Sequence, residues 1–268
     1  MKDWSMKVSS VQIDANKAKK DPYGYAESWI HRAAQEDPDV ILLPEKWNLF
    51  SSPEDHMEGA DRNGDKTRKL LSRLAKAHRV NIVGGSVAEA RGSKLYNTCH
   101  VFDRSGEEVL VYDKAHLYQA GIEQEFYAAG DGIGLVTLDG IDCGVAICYD
   151  MDFPEWIRCY ALNGVDILFA AFDWPPKWLG HMELVIRSRA IENQCFVAAA
   201  GLLRHDEKNG VKSGGSALVS PKGDLMAFAG SEEGIVTAAF DKGLLDEARA
   251  WQHFLEDRRR DLYREHGL

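Results

Sequence analysis

The sequence predicts an α/β protein in which two mixed β-sheets pack face to face and carry helices on their outer faces, a four-layer α-β-β-α sandwich. Three observations lead to this fold class. Strand-like and helix-like stretches alternate along the 268 residues, as they do in βα units. Hairpin signals interrupt the alternation, so the sheets are expected to be mixed. About a dozen strands are predicted, and two packed sheets accommodate that number better than one open sheet.

The first half of the chain reads mainly as strands. Residues 39–43 form a short apolar run of the kind found in buried strands and are followed by Pro44-Glu45. Leu70, Leu71 and Leu74 recur at helical spacing, and residues 103–106 (Asp-Arg-Ser-Gly) are a hairpin signal. The elements predicted here are strands at 6–13, 39–43, 80–88, 96–102 and 108–112, and helices at 25–35 and 67–79.

The second half alternates more regularly between strands and helices. Asn163-Gly164 is typical of a helix end, and residues 221–224 (Pro-Lys-Gly-Asp) indicate a second hairpin. No linker or repeat divides the chain, so we expect a single domain over residues 1–268 with a C-terminal helical tail over roughly 242–268. The elements predicted here are strands at 136–138, 144–148, 165–171, 196–203, 216–220, 225–228 and 235–240, and helices at 155–162, 180–194 and in the tail.

Composition excludes several classes of function. The net charge of −10 disfavours binding to nucleic acid or to an anionic membrane surface. No apolar run approaches the ~20 residues that a membrane-spanning helix needs. The five cysteines are scattered, without a paired motif, which favours a reducing compartment. The first residues show no secretory apolar stretch. We therefore expect a soluble cytoplasmic protein.

Cys148 is the strongest candidate for a reactive residue. It closes an apolar, strand-like run and is followed by Pro154-Glu155, which is typical of the first turn of a helix. A thiol at such a turn lies near N–H groups that favour negative charge. Those groups can lower the thiol pKa and bind an oxyanion.

Glu45 and Lys114 follow two other predicted strands. Active sites of α/β proteins collect at the carboxyl ends of strands, so a base, a cation and a thiol are expected to meet there. Each residue alone has a simpler interpretation: Glu45 paired with Lys46, Lys114 paired with Asp113, and Cys148 as a small buried side chain. All three together indicate acyl transfer by a thiol.

Three segments lie around these residues: Leu-Pro-Glu at 43–45, Lys-Ala-His-Leu at 114–117 and Ile-Cys-Tyr-Asp-Met-Asp-Phe-Pro-Glu at 147–155. In sequence and in order they resemble the three signature segments of the nitrilase superfamily of carbon–nitrogen hydrolases. Tyr-Asn-Thr at 96–98 resembles the family as well, and the resemblance covers nearly the whole chain. Within the superfamily, the chain resembles the ω-amidase-like branch, including its methionine-salvage-associated members.

This resemblance implies roles for four residues. Glu45 is expected to be the general base, Lys114 the oxyanion stabiliser and Cys148 the nucleophile. Members carry a second glutamate that orients the lysine and the substrate amide, seven residues before a glycine. Glu123 stands in that relation to Gly130, and Glu125 is the less favoured substitute. The residues before that glycine, Ala-Ala, depart from the usual family pattern.

The resemblance also implies a pocket and an assembly. Asp173 and Trp174 are expected to form one wall, although Trp174 could instead pack in the core, and Tyr149 is expected to contact the substrate. Arg158 and Arg187 are candidates for binding a substrate carboxylate, with internal or interface ion pairs as the alternative. Relatives dimerise through the helices that correspond to residues 153–164 and 179–195, so we expect a homodimer or a higher oligomer. No cofactor or metal is implied.

The function predicted is hydrolysis of a small carboxamide to a carboxylate and ammonia through a Cys148 thioester. An ω-amide of a dicarboxylic or 2-oxo acid is the expected substrate. A nitrilase or an N-carbamoyl amino acid hydrolase would use the same Glu, Lys and Cys, and both remain open. A metal hydrolase is disfavoured because no histidines fall at HxH or HExxH spacing. A non-catalytic scaffold is disfavoured because all three candidate residues are present.

Overall fold

The computed structural model describes residues 3–50, 55–118, 123–206 and 210–267. Its first half contains seven strands and four helices within those ranges. In chain order they are β1 (Ser5–Asp14), α1 (Ala15–Ala18), α2 (Pro22–Ala34), β2 (Val40–Leu42), α3 (His56–Gly59), β3 (Asp61–Arg62), α4 (Asp65–His78), β4 (Asn81–Val83), β5 (Val87–Arg91), β6 (Lys94–Phe102) and β7 (Glu108–Asp113).

The second half begins with the short helix that carries Glu123. Two 3₁₀ helices, Cys148–Asp152 and Pro176–Trp178, precede α6 and α7. The elements are α5 (Glu123–Phe126), β8 (Gly134–Leu138), β9 (Ile141–Ile147), α6 (Pro154–Leu162), β10 (Ile167–Phe172), α7 (Leu179–Asn193), β11 (Phe196–Leu203), β12 (His205–Asp206), β13 (Val211–Lys212), β14 (Ala217–Val219), β15 (Leu225–Phe228), β16 (Gly234–Asp241), α8 (Lys242–Trp251) and α9 (Arg260–Glu265).

Fourteen of the described strands form one hydrogen-bonded system with mixed directions, and β12 and β13 pair separately as a two-stranded sheet. The main path of the larger system runs β3-β5-β6-β4-β2-β1-β11-β10-β9-β8, with β7 on β6, β16 on β1, and β14 and β15 beside β11. The two halves of this path meet only where the end of β1 pairs with the end of β11, at Ile13↔Leu202 and Asp14↔Leu203. The predicted α/β class with mixed strands is confirmed.

Each half of the sheet system packs against its own helices. Ile30 and Leu71, from α2 and α4, belong to one core cluster with strand residues of the first half. Ile157 and Ile186, from α6 and α7, belong to another with strand residues of the second half. A third cluster draws residues such as Leu42 and Phe169 from both halves. Each half of the sheet system therefore packs against its own helices and, through the third cluster, against the opposite half.

The predicted strand at 80–88 is wrong, because the chain forms two strands there. β4 ends at Val83, Gly84 and Gly85 break the run, and β5 begins at Val87. Gly85 adopts a φ of 63°, and a Cβ on it would lie 2.1 Å from the carbonyl oxygen of Pro44. Only glycine fits this close approach. The break therefore makes room for the segment that carries Glu45.

The helix predictions differ at their ends. The helix expected from residue 25 begins at Pro22, because Asp21 caps it by accepting a hydrogen bond from the Gly24 N–H (3.0 Å) and proline suits the first helical position. The expected C-terminal tail consists of α8 and α9, joined by an irregular segment. No helix in the described ranges is long and apolar enough to cross a membrane.

Candidate active site

Strand direction brings the candidate residues to one edge of the sheet system. The strands β2, β1, β11, β10 and β9 run parallel to one another. β7 also runs in this direction, since it is antiparallel to β6, which is antiparallel to β4, which is parallel to β2. Their carboxyl ends therefore share an edge. Glu45, Lys114 and Cys148 follow three of these ends.

Lys114 lies between two buried carboxylates. Its Nζ is 3.0 Å from Glu45 Oε1 and 2.9 Å from Glu123 Oε2. The three side chains are 2%, 2% and 5% exposed for Lys114, Glu45 and Glu123. Burial disfavours the ammonium, but the two carboxylates outweigh it and raise the pKa of Lys114 well above its usual value. The lysine is therefore a fixed positive charge.

Glu123 is held by several donors at once. Its Oε2 accepts hydrogen bonds from Lys114 and from the backbone N–H of Tyr118, the latter at 2.9 Å. Lys46 lies 3.8 Å from its other oxygen. Burial raises the pKa of this carboxyl, but Lys114 and Lys46 outweigh that effect and lower it to about 2. Glu125, the less favoured substitute, is exposed, so the geometry points to Glu123.

Asn97 on β6 joins the two carboxylates and was not singled out as a site residue. Its Nδ2 donates to Glu45 Oε1 at 2.8 Å and to Glu123 Oε1 at 3.1 Å. Asn97 is fully buried. The Tyr-Asn-Thr sequence at 96–98 matches the family pattern and was the available signal. The amide fixes the positions of both carboxylates around Lys114.

Cys148 is the first residue of the 3₁₀ helix and has a φ of 49°, which is unusual for a non-glycine residue. Its thiol is not acidified, contrary to expectation. Burial, the main cause, raises the pKa of Cys148 well above its usual value, and the negative charge of Glu45 raises it further. Lys114 and the backbone N–H of Asp173 act in the opposite direction without outweighing these effects. The resting thiol is neutral and needs a base.

Asp150 supports the turn that carries Cys148 and was quoted only as part of a motif. It is fully buried. Its Oδ2 accepts from the Ile147 N–H (2.9 Å) and from the Tyr112 hydroxyl (2.8 Å). Its Oδ1 accepts from the His116 N–H (2.9 Å) and lies 2.8 Å from His116 Nδ1. These contacts tie the Cys148 turn to β7 and to the residues after Lys114.

The site opens into a cavity of about 1010 Å³. Tyr149, Asp173 and Trp174, the three residues expected in the pocket, all line it together with Glu45, Lys114, Glu123 and Cys148. Trp174 stacks on His181 with the ring centres 5.2 Å apart. The remaining lining residues in the described ranges are Lys46, Tyr118, Asp152, Pro175, Pro176, Trp178, His181, Arg204 and His205.

The two arginines considered for binding a substrate carboxylate do not line this cavity. Arg187 donates to the Gly223 carbonyl (2.8 Å) and to Glu183 (3.1 Å). Arg158 lines a separate cavity beside α6. The arginine in the pocket is Arg204, which follows β11. The strand-end argument applied to the predicted strand at 196–203 would have identified it.

A metal site is not evident in the described part of the chain, where no group of three His, Cys, Asp or Glu side chains is placed to hold an ion.

Comparisons with known proteins find relatives over nearly the whole chain. Residues 7–250 match the carbon–nitrogen hydrolase family model. The chain is 37% identical to the 2-oxoglutaramate amidase of Bacillus subtilis (strain 168), covering 96% of this chain and 98% of that protein. It is 34% identical to Omega-amidase NIT2 of Homo sapiens, covering 97% of each. The crystal structure of Saccharomyces cerevisiae Nit3, a member of branch 10 of the nitrilase superfamily, superposes with a TM-score of 0.84 at 27% identity, covering 95% of this chain and 97% of that chain. The chain belongs to the carbon–nitrogen hydrolase family.

Proposed function

We propose that the protein hydrolyses a small ω-amide of a dicarboxylic or 2-oxo acid to the carboxylate and ammonia, through a Cys148 thioester. One observation carries the proposal. The neutral, half-buried thiol of Cys148 lines the same cavity as a buried carboxylate, Glu45, that a buried lysine holds at 3.0 Å. This is the arrangement of a nucleophile with its own base.

The reaction begins with transfer of the Cys148 proton to Glu45 as the sulfur attacks the amide carbonyl. Because the thiol pKa is raised by burial and by Glu45, the proton leaves only as the new bond forms. The oxyanion that develops on the carbonyl is stabilised by the Lys114 ammonium and by the backbone N–H of Tyr149.

The protonated Glu45 then gives its proton to the leaving nitrogen, and ammonia departs. Glu45 next takes a proton from water as the water attacks the thioester. The carbonyl of the thioester occupies the same oxyanion position. Collapse of the second intermediate releases the acid and expels the sulfur, which takes the proton back from Glu45 and becomes the thiol again. Glu45 thus acts as base and acid in each half of the reaction, with its geometry fixed by Lys114 and Asn97.

Glu123 serves to hold Lys114 in place. With its pKa lowered to about 2, it stays ionised throughout the physiological range. It therefore balances the lysine while Glu45 changes its protonation state. Without a second carboxylate, protonation of Glu45 would remove the only close negative partner of a buried ammonium.

The names of the relatives support the substrate class. The B. subtilis protein is named for 2-oxoglutaramate and the human one for ω-amides. A cavity of about 1010 Å³ is ample for a five-carbon acid amide. Nitriles and N-carbamoyl amino acids would be attacked by the same three residues, and the assay distinguishes them.

The test is release of ammonia from 2-oxoglutaramate, glutamine, aliphatic amides, N-carbamoyl amino acids and nitriles. We expect 2-oxoglutaramate to be the best substrate, and Cys148→Ala to abolish turnover. Mass spectrometry of the protein quenched during turnover should find the acyl group on the peptide that carries Cys148. Cys159→Ala removes an exposed thiol outside the pocket and is the matched control. Fastest turnover of a nitrile or an N-carbamoyl compound would overturn the proposal.

We also propose that residues 1–268 form a single four-layer α-β-β-α domain, with the tail of 242–268 packed on it. The core cluster shared by both halves of the sheet system supports this, as do the separate helix clusters outside each half. One cooperative unfolding transition is the expected result. Five free cysteines favour a reducing, cytoplasmic location.

We propose a homodimer or higher oligomer formed through α6 and α7. Leu162 is 44% exposed and Ile191 39% exposed on these helices, and Phe254 from the tail, also 39% exposed, lies beside them around one cavity. Apolar side chains grouped in this way are typical of interfaces. Light scattering after size exclusion should give at least twice the monomer mass, and Ile191→Asp should lower it. A monomer at micromolar concentration would contradict the proposal.

A further inference from the structure

The pocket contains a cation that the proposed mechanism does not use. Among the described residues, three cationic side chains line the cavity: Lys46, Lys114 and Arg204. Lys114 is held by both glutamates, and Lys46 lies 3.8 Å from Glu123. Arg204 contacts neither glutamate directly.

Arg204 forms a two-point pair with Asp173. Its Nε donates to Asp173 Oδ1 and its Nη2 to Oδ2, both at 2.6 Å. A guanidinium has a second edge, made by Nη1 and the remaining Nη2 hydrogen, that can bind another carboxylate in the same two-point manner. No acceptor for Nη1 is present among the described residues. The Arg204 side chain is 39% exposed, whereas that of Asp173 is 9% exposed. The guanidinium is therefore the member of the pair that a ligand in the cavity can reach.

Asp173 places this arginine next to the reacting sulfur. The Asp173 backbone N–H acts to lower the pKa of the Cys148 thiol, both residues line the same cavity, and the Asp173 side chain holds Arg204. The charge of Glu45 also acts on Arg204, in addition to the larger effect of Asp173. The guanidinium is therefore one residue removed from the nucleophile, which suits the distal end of a short substrate whose carbonyl is at Cys148.

We propose that the free edge of Arg204 binds the distal carboxylate of the substrate, and that Asp173 is the positioning residue that orients the guanidinium. This inference rests on the proposed function, because it assigns the group that selects ω-amides over uncharged amides. The negative charge of Asp173 weakens the attraction between Arg204 and the substrate carboxylate, but Asp173 holds the guanidinium in its orientation before the substrate binds. The arginine therefore loses little side-chain freedom on binding.

The test compares two substrates that differ only at the distal end, glutaramate and pentanamide. The measured quantity is the ratio of their kcat/KM values. Arg204→Leu should lower this ratio about 10- to 100-fold, the usual effect of losing hydrogen bonds to a charged group. Arg204→Lys keeps the charge without the second edge and should give a ratio between those of the leucine variant and the native protein.

Arg104→Leu is the matched control. Arg104 makes the same kind of two-point pair, with Asp139, at a similar exposure and outside the pocket. Its loss should leave the ratio unchanged. Thermal unfolding of each variant checks that the fold is retained.

The outcomes separate the two proposals. Equal kcat/KM values for pentanamide and glutaramate in the native protein would overturn the substrate class itself. If the native protein prefers glutaramate and Arg204→Leu keeps the same ratio of kcat/KM values, only the role of Arg204 is overturned. If Arg204→Lys keeps the ratio of the native protein, the proposed use of the second guanidinium edge is overturned. If Arg204→Leu does not fold, inhibition of the native protein decides. Glutarate should inhibit at a concentration at least about 10-fold lower than pentanoate, and equal inhibition would overturn the inference.

Discussion

Replacing Lys114 by methionine should make the stability of the protein depend on pH in a way that the native protein does not. At separations of 3.0 and 2.9 Å, each attraction to a glutamate is worth roughly 5–6 kcal/mol in a medium of effective dielectric constant near 20. Much of this is offset by the cost of burying the ammonium. Removing one partner from a buried pair typically costs about 3–5 kcal/mol. We expect that loss in the free energy of unfolding at pH 8.

The sign of the pH dependence follows from the charges that remain. In Lys114→Met, Glu123 is a buried carboxyl that has lost the ammonium that lowers its pKa, so its pKa rises above the unfolded value of about 4.3. A group with a raised folded pKa contributes stability that is present below the unfolded pKa and is lost as pH rises through the folded pKa. The difference from the native protein should therefore be smaller at pH 5 than at pH 8. In the native protein, Glu123 has a pKa of about 2 and does not titrate in this window.

Urea unfolding at pH 5 and pH 8 measures both quantities. The double variant Lys114→Met/Glu123→Gln removes one of the two charges and should regain part of the stability at pH 8. Lys222→Met breaks an exposed pair with Glu247 and should change the stability by at most about 1 kcal/mol at either pH. An equal loss at both pH values for Lys114→Met would refute the reasoning.

Three further changes test individual contacts. Glu45→Gln should abolish turnover yet move alkylation of Cys148 by iodoacetamide to lower pH, because the charge that raises the thiol pKa is gone; an unchanged alkylation midpoint would contradict this. Asp150→Asn replaces one accepting oxygen by an NH₂ group that faces hydrogen-bond donors. It should lower the free energy of unfolding by about 1–3 kcal/mol and lower kcat in steady-state kinetics. A native kcat in that variant would contradict the supporting role. Gly85→Ala should destabilise the fold and lower activity, because its Cβ would lie 2.1 Å from the Pro44 oxygen; a native melting temperature would contradict it.

Matched controls exist for two of these changes. Asp103→Asn alters a half-buried aspartate outside the pocket that also accepts several hydrogen bonds, from Ser105 and Glu107, and should leave kcat unchanged. Gly92→Ala introduces a side chain at a φ of 60° where no atom lies within 4 Å. It therefore measures the backbone strain without the collision that is expected at Gly85.

The sequence predicts best those site residues that lie at or just beyond the end of a predicted strand. Glu45, Lys114 and Cys148 each follow an apolar run that is typical of a strand. Because the carboxyl ends of strands that run in the same direction lie at the same edge of a sheet, it could be predicted that these three residues meet. Glu123 required the family resemblance, because nothing in its own segment distinguishes it from Glu125. The assignment rests on which of the two is buried against Lys114.

Other features depend on distant contacts. Asn97 and Asp150 are important because of partners that lie up to 52 and 38 positions away, and their own neighbours in sequence do not reveal this. The apolar run at 80–88 reads as one strand because β4 and β5 both run antiparallel to β6, and periodicity does not record the break at Gly84 and Gly85 between them. The pKa of Cys148 was misjudged for a related reason: the local N–H groups are visible in the sequence, but the burial that outweighs them is not.

The pairing of β1 with β16 has a consequence for synthesis of the chain. Eight residue pairs join these strands, from Ser5↔Asp241 to Gln12↔Gly234. The first described strand to be synthesised therefore completes its hydrogen bonds with the last one. At roughly 5–20 residues per second, a ribosome needs about ten to fifty seconds to span that interval. Throughout this time a buried strand has an open edge. Nascent chains should therefore depend on chaperones until β16 has emerged, and stalling before residue 234 should leave a protease-sensitive product.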